Sequence, residues 1–99
     1  MESIRFEREY RTSSSEGYLI LEGEDRVGRL ELHFAPELVF GTVIIERDMA
    51  EDEVQELIET VDDELVISAQ VPREDFVVTV YQGREVGVFS DESFEDEQE

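Results

Sequence analysis

One stretch of this chain, from about Met49 to Leu65, carries apolar residues at helical spacing, and every other apolar segment is spaced as a strand. Ala50, Val54, Leu57, Ile58, Val61 and Leu65 recur every three or four residues, which gathers them into one stripe along a helix. Asp52, Glu56, Glu59 and Asp63 fall on the opposite side, and Asp48 with Glu51 forms a capping-box-like start. A single helix is too narrow to cover a sheet of about six strands. The sheet is therefore expected either to curl on itself or to bury its second face against another subunit.

The strand-like segments surround that helix. In "IRFEREY", Ile4, Phe6 and Tyr10 alternate with Arg5, Glu7 and Glu9, and Arg8 is the one cation on the apolar side. "RTSSSEG" reads as a turn before a second strand, "YLILE". "GED" turns into "RVGRLELHF", where Leu30, Leu32 and Phe34 share a face opposite Arg29, Glu31 and His33. Pro36 interrupts, and "LVFGTVIIE" follows with apolar residues on both sides, Gly41 marking a bulge or a close backbone approach. After the helix, "LVISAQV" is a further strand, and "FVVTVYQGREVGVFS" reads as two Val-rich strands about a Gln82-Gly83 turn.

The order ββββ-α-βββ describes an α+β domain: a mainly antiparallel, curled sheet of about six to seven strands with one amphipathic helix packed on it. At 99 residues with 39% hydrophobic content, three Tyr and six Phe, the chain can bury one modest core. Residues 1–90 are expected to form that domain. Residues 91–99 are expected to be an acidic, disordered tail, with Phe94 its one apolar side chain.

The formal net charge is −20, and the tail holds six of the acids, so −14 would remain without it. All eight cations are arginine. Two explanations compete for the acidity. A carboxylate-rich surface suits a salt-rich interior, where screening cancels self-repulsion; or the acid serves a basic protein partner. The spread of acid over every segment favours salt adaptation. Charge of this sign works against nucleic acid and against anionic membrane, since each phosphate contact would form in a repulsive field.

No cysteine is present, so thiolate chemistry, disulfides and Cys-based metal sites are ruled out. The N-terminal segment has no apolar h-region and no apolar run approaches membrane-spanning length, which points to a cytoplasmic protein. His33 is the single histidine, on the polar side of its strand, and no Gly-x-Ser-x-Gly elbow, calcium loop or Gly-rich phosphate loop accompanies it. No catalytic, cofactor-binding or metal-ligating set emerges.

The expectation is a non-catalytic protein-interaction module acting as a homodimer. Its candidate contact residues are Arg8, His33, the helix acids Asp52, Glu56, Glu59 and Asp63, and Phe94 as an aromatic anchor in the tail. The alternative is a small-molecule-binding protein or small enzyme whose pocket lies in the curled sheet near His33 or Arg8.

Overall fold

The structure is a computed structural model, described over residues 3–66 and 75–91. Four strands form an antiparallel meander: β1 (Ile4–Arg11), β2 (Ser15–Glu22), β3 (Asp25–Phe34) and β4 (Leu38–Ile45). Helix α1 (Glu51–Val61) and a π-helical turn (Asp62–Val66) follow, and β5 (Asp75–Gln82) then pairs with β4 in parallel. The fold is α+β with one helix and an open, mixed sheet in the order β1-β2-β3-β4-β5.

Four strands and the helix were legible in the periodicity, but the last part of the chain differs from expectation. The sheet holds five strands among the described residues instead of six to seven, and it is not closed. "REVGVFS" is not a strand: residues 83–90 carry no regular structure, with Val86 and Val88 exposed. The expected Gln82-Gly83 hairpin turn is replaced by a different contact, in which Gly83 N donates to Ile45 O at 2.9 Å. A two-residue type I′ turn needs positive φ at both central positions, and Gly83 does not have it. β5 runs parallel to β4, and α1 lies in the connection between them. Most of "LVISAQV" lies outside the described residues; Leu65 and Val66, its first two positions, belong to the π-helical turn.

One face of the sheet meets the helix. Ile20, Leu30, Leu32, Val39, Val43 and Ile45 close against Leu57, Val61 and Val66, all essentially buried. Val54 and Leu65 pack at the margin. Val66 falls outside the stripe predicted from an ideal α-helix; the widened π turn coincides with its burial at the end of α1. The helix start also differs. Asp48 is not the cap: Ala50 holds the N-cap position, and Glu53 Oε1 accepts from Ala50 N at 3.0 Å. Ala50 has no oxygen to complete the reciprocal bond, so half of the capping box is made.

Two bulges reset the pleat. Arg8 opposes Tyr18 and Tyr10 opposes Gly17, which leaves Glu9 as an extra residue in β1. Past a bulge the facing of side chains reverses, so Tyr10 lies on the outer face and not with Ile4 and Phe6 as alternation suggested. Its ring covers Gly17, where any β-carbon would collide with it. In β3 the extra residue is Val27, which is fully buried in the core. Gly41 does mark a close approach: a β-carbon there would stand 2.9 Å from the Phe76 ring.

Among the described residues, the two edge strands have opposite characters. β1 carries Arg5, Glu7, Arg8, Glu9 and Arg11, whereas β5 is uncharged from Phe76 to Gln82. Charged side chains discourage edge-to-edge pairing, and β5 has none after Asp75.

Candidate functional site

The residues singled out in the sequence do not converge. Arg8 sits on the helix-facing side of β1, at the sheet edge, where Arg8 Nη1 lies 3.9 Å from Glu16 Oε2 and Arg11 Nε lies 3.7 Å from the same oxygen. The Tyr18 hydroxyl donates to the other Glu16 oxygen, and the Phe6 ring meets Tyr18 edge-on at 6.4 Å. Arg8 thus anchors a largely buried acid at the rim of the core. The Tyr18 phenol is pushed up to about 12 by burial first, then by its bond to Glu16 and that carboxylate's charge.

His33 points the other way. It occupies the outer face, opposite Ser15 on β2 and Phe40 on β4, and is exposed. Asp52, Glu56, Glu59 and Asp63 are all exposed on the side of α1 away from the core. Phe94 lies outside the described residues. Among the described residues no group of His, Cys, Asp and Glu is arranged to hold a metal ion, and no helix is long and apolar enough to cross a membrane.

Two other features were not legible as sites in the sequence. The first is a cleft where β4 and β5 end. Because these strands are parallel, the residues following each, Glu46-Arg47-Asp48 and Gly83-Arg84, arrive at the same end of the sheet. With Gln82 they line a wide-open depression of about 390 Å³. A second cavity of about 170 Å³ adjoins it, shares Arg47 and Gln82, and has Ile45, Met49, Val54 and Val80 among its walls.

Short polar contacts fix this rim. Gln82 Nε2 donates to Asp48 Oδ1 at 2.7 Å, Glu46 N donates to Val27 O at 2.8 Å, and Arg47 Nη2 reaches Glu22 Oε1 on β2 at 2.6 Å. Arg26 Nη2 stands 2.9 Å from Glu46 Oε2, but that buried oxygen receives no hydrogen bond, so the contact is an ion pair alone. Arg5, Arg8, Arg11, Arg26, Arg29 and Arg47 each stand beside a carboxylate. Arg84 has no carboxylate partner among the described residues. The signal that could have exposed the cleft is topological: it exists only once β5 is known to run parallel to β4.

The second feature is on the open face. Its β4–β5 half presents Phe40, Thr42 and Ile44 beside Val77, Thr79 and Tyr81, six neutral side chains in a chain that is 36% charged. Phe40 is 43% exposed, Val77 42% and Tyr81 57%. The β1–β3 half of the same face carries Glu7, Glu9, Arg29, Glu31 and His33, with Arg29 paired to Glu9. Comparison with protein-family models, with curated proteins and with solved structures finds no match to this chain.

Proposed function

We propose that this chain is a non-catalytic protein-interaction module that acts as a homodimer in a salt-rich cytoplasm. The observation that carries the reading is the neutral patch of Phe40, Thr42, Ile44, Val77, Thr79 and Tyr81 on the face that α1 leaves open. Contiguous exposed apolar surface of this kind marks interaction sites on soluble domains. A second copy is the partner that fits best. At net charge −20, two copies repel everywhere except where charge is absent, so contact of patch with patch joins them at the least electrostatic cost. Aromatic anchors such as Phe40 and Tyr81 supply much of the energy at such contacts.

The acid side of α1 faces away from this patch and remains open to a basic protein in the dimer. Arg8 and His33 lie on opposite faces of the sheet, so no single pocket holds both.

Light scattering in molar KCl tests the assembly. The expected mass is twice the 11.5 kDa chain, with Phe40→Glu and Tyr81→Glu each returning the monomer while circular dichroism keeps its native shape. A wild-type chain that scatters only as 11.5 kDa across the working concentration range overturns the homodimer.

A further inference from the structure

We propose that the cleft at the ends of β4 and β5 binds a small carboxylate with an apolar body. The anionic end is assigned to Arg84. In a chain where 28 acids outnumber eight arginines, six of the described arginines are paired, and the one without a described carboxylate partner lines a cavity. A guanidinium presents two parallel N–H groups that match the two oxygens of a carboxylate.

The apolar end is assigned to the adjoining compartment. Ile45, Met49, Val54 and Val80 are among its walls together with Tyr81 and Gln82, and Arg47 lines both cavities. The Arg47 head group is already neutralised by Glu22, so it contributes wall and not a second anion seat. The position is also the one general chemistry of parallel β-α-β units favours, a crevice beyond the carboxyl ends of the strands.

The rim limits how much negative charge a ligand can bring. Glu46 and Asp48 share the cavity with Arg84, which disfavours a polyphosphate and suits a single carboxylate. The start of α1 is not the anion seat, because its first turn holds Glu51, Asp52 and Glu53, and Glu53 already accepts from Ala50 N. The site stands apart from the neutral patch except at Tyr81, which lines the smaller cavity as well.

Calorimetric titration of the full chain at constant ionic strength tests the assignment, with hexanoate, benzoate, acetate and inorganic phosphate as the probes. Hexanoate or benzoate is expected to bind saturably, one per chain, with amide NMR shifts concentrated at Gly83, Arg84 and Met49. Acetate, which lacks the apolar body, is expected to bind about tenfold more weakly or worse. Arg84→Gln is expected to weaken hexanoate by about tenfold or more, as loss of a charge-assisted contact requires. Arg84 is exposed, so this variant keeps the fold, and Arg5→Gln on the far edge strand is expected to leave binding unchanged. The proposal is overturned by absence of saturable binding of both apolar acids, by acetate or phosphate binding as tightly as hexanoate, or by an unaltered affinity in Arg84→Gln.

Discussion

Gly28 on β3 lies directly against the carbonyl oxygen of Ile44 on β4, so closely that a β-carbon at position 28 would occupy the space of that oxygen. The obstacle is backbone and not a side chain able to swing aside. Gly28→Ala is therefore expected to push β3 and β4 apart beside the Val27 bulge and to cost about 1–3 kcal/mol. Urea or thermal unfolding measures it, and a shift of several degrees or more in the midpoint is expected for a domain this small. Gly41→Ala makes the internal comparison, since it meets the movable Phe76 ring and should cost less.

Tyr18 ties stability to alkaline pH. Its folded pKa, about 12, lies above the ordinary value of 10.0, so folding favours the protonated phenol. That contribution is complete below pH 10, falls as the unfolded phenol ionises, and is lost as pH rises through about 12. Unfolding midpoints measured from pH 8 upward are expected to decline in that window. Tyr18→Phe should make the decline shallower, and in tyrosinate absorbance it should remove the component that titrates last in the native protein.

The outer stripe of α1 makes stability depend on salt. Asp52 and Glu56, and Glu59 and Asp63, are like-charged pairs one turn apart on an exposed surface, each unfavourable by about 0.2–0.5 kcal/mol in dilute solution. The midpoint of unfolding is expected to rise as KCl goes from dilute to molar, because screening acts on such exposed charges. Glu59→Arg should stabilise by about 0.5 kcal/mol at low salt, and that gain should shrink in molar KCl. A midpoint that stays flat or falls with KCl would remove salt adaptation as the account of the acidity.

Glu85 holds the segment after β5 to the sheet. Its Oε1 lies 3.5 Å from Arg26 Nη2 and 3.9 Å from Arg29 Nη1, while Val86 and Val88 beyond it are exposed. Glu85→Gln is expected to speed hydrogen exchange and proteolysis between residues 83 and 90. The global midpoint should move by no more than about 1 kcal/mol, as for other partly exposed ion pairs.

The parts of this fold that were legible in the sequence are those that depend on one segment alone. Alternation located β1 to β4, and the Val54-Leu57-Val61 spacing located the helix, because each pattern reports which side of its own element is buried. What alternation does not report is the neighbour. "FVVTVYQ" reads as a strand whether it pairs in parallel with β4 or turns back at Gly83, and "REVGVF" has the same Val spacing without pairing at all. The inserted Glu9 reversed the facing of Tyr10 without any Gly or Pro to signal it. The candidate cleft was illegible for the same reason, since Arg47 and Arg84 meet one cavity only through the parallel pairing. Arg8, a cation out of phase on an apolar side, stands 3.9 Å from Glu16 at the sheet edge, a neighbour its own segment does not announce.

The unequal edges of the sheet, as the described residues form it, set a limit on assembly. A strand joining edge-on at β5 meets a stretch without charge, whereas one arriving at β1 meets five charged side chains in eight residues. Indefinite lateral growth requires every added copy to offer a fresh receptive edge. If two copies joined through β5, only the charged β1 strands would remain at the ends, and the row would stop at two.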